Sequence, residues 1–310
     1  MMAAEVDDYR DMLRIRLIEE ELLKCVQDGR VIGSAHLCIG QEAIPVGACR
    51  ALKSDDPVVA TYRGHGWALA KGVPPVQFIG EVMGRDSTLN GGRGGSAYLS
   101  SPDHAFMGEN SIVGGGLPMT LGLAMAHQRR ATGLIPAVSI GDGAMNQGNV
   151  HESLNMGSVL GIPFIVIVEN NGYAEMTPST DLTATPAAVR AAAYAIEAIE
   201  VDGNSASAVA EATRRARELA ISTQRPVMVE AHTRRLGGHY SGDAQAYRPK
   251  GELEEWGRLD PLTRARSLLD PTVAEATYQQ VVAEVTDAFA RAAQLPAPLE
   301  EEAMKHVYAN

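Results

Sequence analysis

Residues 141–178 read GDGAMNQGNVHESLNMGSVLGIPFIVIVENNGYAEMTP. In this stretch a glycine-rich turn, GDG, precedes a segment at 145–160 that we expect to be helical. The apolar run at 163–168 then predicts a strand buried on both faces, and it ends in the polar sequence ENNG. A short apolar segment at 137–140 predicts another strand, which leads directly into GDG. The order strand, helix, strand predicts parallel strands whose carboxyl ends carry GDG and ENNG.

The same alternation of elements continues on both sides of this stretch. Helices are expected at 8–28, 116–133, 187–195, 205–221 and 272–293, strands or extended segments at 57–61, 196–201 and 226–231, and loops at 90–95 and 237–251. This order predicts an α/β fold with a mostly parallel sheet and helices on both faces. Because no linker-like boundary interrupts the chain, we expect a single domain over residues 1–310, with an N-terminal helical arm and a C-terminal helix.

Composition narrows the classes of partner. The 310 residues include 27 basic and 38 acidic side chains, a net charge of −11, which argues against nucleic acid or an anionic membrane as a partner. The three cysteines lack CxxC spacing, so neither a disulfide framework nor a cysteine zinc site is expected. The acidic N-terminus is unlike a signal peptide. The longest apolar run, 159–168, is about half of the ~20 residues that a membrane helix needs. We therefore expect a soluble, cytoplasmic protein.

Ligands of parallel sheets bind beyond the carboxyl ends of the strands. Glycines on both sides of Asp142 let backbone amides approach an anion, and a following helix N-terminus favours phosphate. A carboxylate repels phosphate unless a cation lies between them. Asp142, with an amide oxygen from Asn171, therefore suggests a Mg²⁺-bridged diphosphate site. The alternative for each motif alone is an ordinary turn, since Asp-Gly and Asn-Gly are common turn dipeptides.

The glycine-rich segments do not fully match the fingerprint of a dinucleotide-binding site. The fingerprint that begins at Gly141 fails because its third small residue is replaced by Asn146. The segment that begins at Gly92 fits the pattern, but residues 83–89 before it are not expected to form a strand.

The pairing of GDG with NN across 26 residues resembles the thiamine diphosphate signature. The whole stretch is similar to the α subunit of thiamine-diphosphate-dependent 2-oxo acid dehydrogenase complexes, and ENNGYAE and GHYSGDAQAYR are closest to the acetoin dehydrogenase branch. Further matching motifs are HLCIGQEA, TYRGHG, GGRGGSAYL and NSIVGGGLP. The resemblance implies a thiamine-diphosphate-binding fold in which this chain is the diphosphate-binding domain.

The resemblance also implies roles for individual residues. Asp142, the side chain of Asn171 and the backbone carbonyl of Tyr173 would bind Mg²⁺, and the amides of Gly143 and Ala144 would face the diphosphate. Two further positions would contact the cofactor phosphates, Tyr62 and Arg63. Val113 would lie beneath the bent cofactor. Ser111 would also contact the cofactor, through its backbone, although the family usually has glycine at this position.

Two histidines are candidates for catalysis. The resemblance places His239 on a mobile loop beside the diphosphate and the reacting carbon, where an imidazole could donate a proton or bind phosphate. His65 is the second candidate, whereas we expect His151 to pack in the fold. The loop around His239 is expected to be ordered by Asp243, Tyr247 and Arg248. Tyr240 occupies the position of a phosphorylatable serine in eukaryotic relatives, so that regulatory switch is not expected here.

The expected partner follows from the same resemblance. Glu42 is expected to be structural, because the catalytic glutamate of the family belongs to the β subunit. The resemblance therefore predicts an α₂β₂ enzyme that cleaves acetoin or a 2-oxo acid and transfers the acyl group to a lipoyl-bearing acyltransferase. The alternatives are a non-oxidative carboligase or ketol transferase, and a cofactor-free assembly protein. Gln147 favours the dehydrogenase over the transketolase type, and the intact Asp142, Asn171 and Arg63 argue against the assembly protein.

Overall fold

A computed structural model describes residues 2–305 and 307 of the chain. The strands are β1 Val58–Thr61, β2 Phe106–Asn110, β3 Ala137–Gly141, β4 Ile165–Asn170, β5 Tyr173–Ala174, β6 Thr177–Pro178, β7 Glu197–Asp202 and β8 Val227–His232. The α-helices are α1 Met2–Gln27, α2 Ala43–Ala51, α3 His65–Ala70, α4 Pro75–Val82, α5 Gly116–Arg129, α6 Gly148–Leu160, α7 Ser179–Leu182, α8 Ala187–Ala191, α9 Ala206–Thr223, α10 Glu252–Gly257, α11 Pro261–Ser267 and α12 Pro271–Ala293. Short 3₁₀ helices are Pro102–His104, Gly143–Asn146, Ala192–Tyr194 and Glu300–Met304.

Six strands form one parallel sheet in the order β2-β1-β3-β4-β8-β7. The central strand β4 reads IVIVEN, and its first five residues are buried. Ile165 and Ile167 pack into one layer of helices, and Val166 and Val168 pack into the other. A continuous apolar run is what a strand covered on both faces requires. The predicted α/β fold with a mostly parallel sheet is confirmed.

The helices cover both faces of the sheet. One face is packed by α1, α2, α4, α9 and α12, and the other by α5, α6 and α8. Helix α1 lies in the first of these layers, where Met12, Ile15, Ile18 and Leu22 are buried. The expected N-terminal arm is therefore part of the hydrophobic core, and burying these apolar side chains stabilises the fold.

The structure contains elements that the sequence did not predict, among them helices α2, α3, α4, α10 and α11, and three further differences have a physical reason. Strand β2 was not predicted, because its sequence FMGEN is short and contains a glycine and two polar residues. The helix expected at 145–160 is a 3₁₀ turn followed by α6, because Gln147 is extended and its N–H bonds to the carbonyl of Ala144 at 3.0 Å. The helix expected at 187–195 ends early, since α8 passes into a 3₁₀ turn that closes at Ala195 with φ of 54°.

The parallel arrangement gathers the strand ends at one edge of the sheet. Gly141 pairs with Glu169, Thr61 pairs with Asn110, and Asn170 pairs with His232. The segments that follow these ends therefore lie next to one another. Over residues 2–305 and 307, no helix combines the length and apolar character needed to cross a membrane.

Candidate active site

A cavity of about 530 Å³ lies at this edge of the sheet. The residues predicted from the sequence that line it are Tyr62, Arg63, Val113, Asp142, Gly143, Ala144, Asn171, Tyr173 and His239. They come from segments far apart in the chain, which the parallel strands bring together. Ser111 and His65, the other two predicted site residues, are not among the residues that line the cavity.

Asp142 follows β3 and is 7% exposed. Its Oδ2 accepts a hydrogen bond from the hydroxyl of Ser179, whereas its Oδ1 is buried without a hydrogen-bond partner. Burial raises the pKa of this carboxyl group, and the hydrogen bond from Ser179 opposes that shift. A buried, unsatisfied carboxylate oxygen costs free energy, so the geometry favours a ligand that supplies positive charge.

Asn171 lies two residues beyond the pairing partner of Gly141 and is 6% exposed. Its Oδ1 accepts the backbone N–H of Tyr173 at 3.1 Å, and its Nδ2 donates to Oε1 of Gln41 at 2.9 Å. An amide oxygen can accept at two positions, so Oδ1 retains a free one. Asp142 and Asn171 thus offer the carboxylate and amide oxygens that suit Mg²⁺.

Two buried guanidinium groups lie on another wall of the cavity. Arg63 donates to the carbonyl of Leu37 at 2.5 Å and to the carbonyl of His239 at 2.9 Å. Arg235 is 1% exposed, and its Nε is buried without a partner. Within residues 2–305 and 307, no carboxylate forms a salt bridge with either arginine. Buried positive charge without a counter-ion favours an anionic ligand.

His239 lies between these arginines. Its Nδ1 is 3.4 Å from a guanidinium nitrogen of Arg63 and 3.4 Å from one of Arg235. Guanidinium groups only donate, so Nδ1 accepts and the imidazole proton resides on Nε2. Burial lowers the pKa of His239, Arg63 and Arg235 lower it further, and it reaches about 4. The imidazole is therefore neutral at pH 7 and offers Nε2–H as a donor.

The loop that carries His239 is held by hydrogen bonds along its length. Asp243 accepts from the backbone N–H of His239 at 2.6 Å and from the hydroxyl of Tyr247 at 2.8 Å. Arg248 donates to the carbonyls of Arg235 at 3.0 Å and Gly237 at 2.7 Å. The expected ordering role of Asp243, Tyr247 and Arg248 is confirmed.

The side chain of Tyr173 belongs to a cluster beside this loop. Its hydroxyl donates to Glu252 at 2.9 Å, and its ring lies beneath the guanidinium of Arg248 and against Tyr247 and Trp256. Any ligand that Tyr173 offers to a cation in the cavity therefore comes from its backbone.

The segment after β2 contributes apolar groups to the opening of the cavity. Val113 is 44% exposed and Ile112 is 69% exposed, and both line the cavity. Asn110 holds this turn by accepting the N–H of Ile112 at 2.7 Å. Ser111 lies between Asn110 and Ile112 in the chain but does not line the cavity.

His65 is fully buried away from the cavity. Its Nδ1 pairs with the carboxylate of Glu19 at 2.6 Å, and its Nε2 bonds to the hydroxyl of Ser96 at 2.9 Å. Burial lowers the pKa of His65, but Glu19, Glu109 and the backbone of Ser96 together outweigh burial and raise the pKa to about 9. These bonds join α1 to the GGRGGSAYL motif, which contains Ser96, and they do not place His65 near the proposed cofactor.

Two residues that were expected to be structural have structural contacts. Glu42 is fully buried and bound by Arg16, with one nitrogen–oxygen distance of 2.5 Å. His151 bonds through Nδ1 to the hydroxyl of Tyr194 at 2.5 Å. Neither residue lines the cavity.

Sequence reasoning missed several residues of the cavity wall, chiefly Gln41, Glu169 and Arg235. Glu169 directly precedes the two asparagines, and Arg235 follows the end of β8 by three residues. The strand-end rule had selected the segment 169–173 without giving Glu169 a role, and the same rule applied to β8 could have found Arg235. Gln41 belongs to the GQEA motif, but only the tertiary structure brings it to Asn171.

Comparisons with known proteins agree with this arrangement. The dehydrogenase E1 component family matches residues 10–300. The α subunit of acetoin:2,6-dichlorophenolindophenol oxidoreductase from Bacillus subtilis is 35% identical over 97% of this chain and 92% of its own length. Its counterpart from Cupriavidus necator is 41% identical over 80% of this chain and 74% of its own length. The pyruvate dehydrogenase E1 component subunit alpha of Zymomonas mobilis is 38% identical over 93% of this chain and 84% of its own length. The chain belongs to the dehydrogenase E1 component family.

Proposed function

We propose that this chain is the α subunit of a thiamine-diphosphate-dependent dehydrogenase that cleaves a C–C bond of acetoin or a 2-oxo acid and passes the acyl group to lipoyl. The observation that carries the proposal is the buried, unpartnered Oδ1 of Asp142 in a cavity that also contains Arg63 and Arg235. A divalent cation satisfies the carboxylate, and a diphosphate satisfies both the cation and the arginines. The names of the similar proteins support the same class of reaction.

The residues of the cavity fit Mg²⁺ and thiamine diphosphate. Asp142, the side-chain oxygen of Asn171 and the backbone carbonyl of Tyr173 would hold Mg²⁺. Gly143 and Ala144 would present backbone amides to the diphosphate, and Tyr62 and Arg63 would contact its oxygens. When bound, the cofactor supplies a carbon nucleophile and an electron sink for C–C cleavage.

His239 would act as a neutral hydrogen-bond donor beside the reacting carbon. The arginines that hold its Nδ1 leave Nε2–H to stabilise a developing negative charge on oxygen or phosphate. We do not assign such a role to His65, because its two ring nitrogens are occupied by Glu19 and Ser96.

A β subunit would complete the site. Exposed apolar side chains surround the opening, where Ile112, Val113 and Leu182 are 69%, 44% and 51% exposed. Such side chains beside a polar cavity are typical of an interface. Glu169, a carboxylate of this chain on the cavity wall, accepts hydrogen bonds from Ser139, Trp67 and Gln41. The family resemblance implies that the catalytic glutamate belongs to the β chain. An α₂β₂ assembly, a lipoyl-bearing acyltransferase as acceptor and a cytoplasmic location complete the proposal.

The test is co-purification with the β chain, followed by assays with acetoin, pyruvate and branched 2-oxo acids and dichlorophenolindophenol as electron acceptor. We expect dye reduction with one of these substrates, dependent on thiamine diphosphate and Mg²⁺, and little turnover by this chain alone. Acyl transfer to free lipoamide tests the acceptor. Full activity without the β chain, or activity unaffected by Asp142→Asn, would contradict the proposal.

A further inference from the structure

Three buried side chains form a hydrogen-bonded series on the cavity wall. Gln41 donates through Nε2 to Oε2 of Glu169 at 2.7 Å, and its Oε1 accepts from Nδ2 of Asn171 at 2.9 Å. Gln41 is 1% exposed, and the other two are each 6% exposed. Gln41 and Glu169 were not among the site residues predicted from the sequence.

Glu169 determines which groups donate and which accept in this series of hydrogen bonds. Its Oε1 accepts from the indole N–H of Trp67 at 2.7 Å and from the hydroxyl of Ser139. A carboxylate only accepts and an indole only donates, so Gln41 must turn its amino group toward Glu169. Its oxygen then faces Asn171, which must in turn direct its own amino group toward Gln41.

A second contact agrees with this orientation of Asn171. Its Oδ1 accepts the N–H of Tyr173 at 3.1 Å, which an inverted amide could not do. Asn171 lines the same cavity as Asp142, whose Oδ1 has no hydrogen-bond partner. An inverted amide would present N–H groups to a cation and repel it.

We infer that Glu169 and Gln41 are positioning residues, which fix the amide of Asn171 so that its oxygen faces the divalent cation. The inference rests on the proposed function, since it assigns these residues to the same metal site. Neither residue touches the cation. They act by making one of two sterically equivalent amide orientations the stable one.

Glu169→Gln tests the inference with almost no change in shape. Trp67 holds the oxygen of the new amide, so the amino group of that amide faces Gln41 and favours inversion of Gln41 and then of Asn171. We expect the affinity for Mn²⁺ in the presence of thiamine diphosphate, measured by electron paramagnetic resonance on the co-purified complex, to fall at least about tenfold. The control is Glu284→Gln. The carboxylate of Glu284 accepts from the guanidinium of Arg14, and Glu284 does not line the cavity. This variant should leave Mn²⁺ affinity unchanged.

A double variant distinguishes a change in the orientation of the Asn171 amide from a nonspecific disruption of the site. Combining Glu169→Gln with Gln41→Glu moves the acceptor-only group to the centre of the series, where it accepts from the amide on either side. The oxygen of Asn171 then faces the cavity again, and we expect Mn²⁺ affinity to return to within about threefold of the wild type.

The outcomes distinguish the inference from the proposed function. If the wild-type complex binds no Mn²⁺ with thiamine diphosphate, the metal site itself is wrong, and the positioning role fails with it. If the wild type binds and Glu169→Gln binds equally well, the positioning role alone is wrong. Thermal unfolding checks that each variant is folded. A folded double variant that binds as weakly as Glu169→Gln would also overturn the inference.

Discussion

Arg63 donates to the backbone carbonyl of His239 at 2.9 Å across 176 positions of sequence. The same guanidinium donates to the carbonyl of Leu37 at 2.5 Å and approaches the imidazole of His239. One side chain therefore connects the end of β1, the segment before α2 and the loop after β8. It also supplies positive charge to the proposed diphosphate site.

Arg63→Gln removes that charge and weakens the connection to the His239 loop. Hydrogen bonds to charged groups are worth about 1.5–3 kcal/mol, so the dissociation constant for thiamine diphosphate should rise roughly 10- to 100-fold. Calorimetry with Mg²⁺ and thiamine diphosphate measures this. Arg63→Lys, which keeps the charge without the planar fork, should give an intermediate loss. Wild-type affinity in Arg63→Gln would contradict the assignment.

Arg235 should control the pKa of His239. Its guanidinium faces Nδ1 at 3.4 Å and contributes to the lowering of that pKa to about 4. In Arg235→Gln we expect the pKa of His239 to rise toward 6.5, the ordinary value for histidine. A nuclear magnetic resonance titration of the ligand-free chain measures the shift. Arg234→Gln is the matched control, because the guanidinium of Arg234 lies over Trp256. Equal pKa values for His239 in both variants would exclude this effect.

Gly143 should tolerate no side chain. A Cβ at this position would lie 2.5 Å from Cβ of Ala174, which lines the cavity on β5. Gly143→Ala must therefore displace the hairpin of β5 and β6, and we expect about a tenfold loss of thiamine diphosphate affinity, in line with the 1–3 kcal/mol cost of overpacking. Gly148→Ala is the control, since no atom lies within 4 Å of its added Cβ. Similar affinities in the two variants would count against this close contact.

The sequence was most informative where burial and local order agree. Strands β3 and β4 are apolar runs bounded by polar glycine-containing turns, so their positions and the site residues Asp142 and Asn171 could be predicted. Strand β2 could not, because pairing with β1 outweighs the weak strand preference of FMGEN. The environment of His65 depends on Glu19, a partner 46 residues earlier, which no local pattern indicates.

The buried carboxyl group of Glu109 should make stability depend on pH. Burial raises its pKa from 4.5 to about 8, and one of its oxygens is buried without a partner. A raised pKa contributes stability that is fully present below about pH 4.5 and is lost as the pH rises to about 8. Glu109→Gln has no carboxyl group to ionise. Its free energy of unfolding should therefore rise relative to the wild type over this range.

Denaturant unfolding of both chains at several pH values measures this difference. His65 and Glu109 act on each other, because Glu109 contributes to raising the pKa of His65 to about 9. The two chains are therefore compared between about pH 4.5 and 6.5, below the range in which His65 loses its proton. A difference between them that stays constant from pH 4.5 to 6.5 would show that the pKa of Glu109 is not raised.

The carboxylate of Asp142 should lower the stability of the ligand-free chain, although it is needed to bind the metal ion. With Oδ1 buried and unpartnered, the carboxylate destabilises the ligand-free chain. Asp142→Asn replaces the carboxylate with a neutral amide, which costs less free energy to bury, and we expect the free energy of unfolding without ligands to rise by about 1 kcal/mol. Mg²⁺ with thiamine diphosphate should raise the melting temperature of the wild type but not of the variant, because only a ligand that binds the folded state stabilises it.

Asp243→Asn is the matched control for the effect of Asp142→Asn on stability. Both carboxylate oxygens of Asp243 are satisfied, by the N–H groups of His239 and Gln245 and the hydroxyl of Tyr247. The same substitution there replaces an acceptor with a donor and should lower the stability of the ligand-free chain. If Asp142→Asn were also destabilising without ligands, or if the ligands stabilised it as much as the wild type, Asp142 would not be the carboxylate that holds the cation.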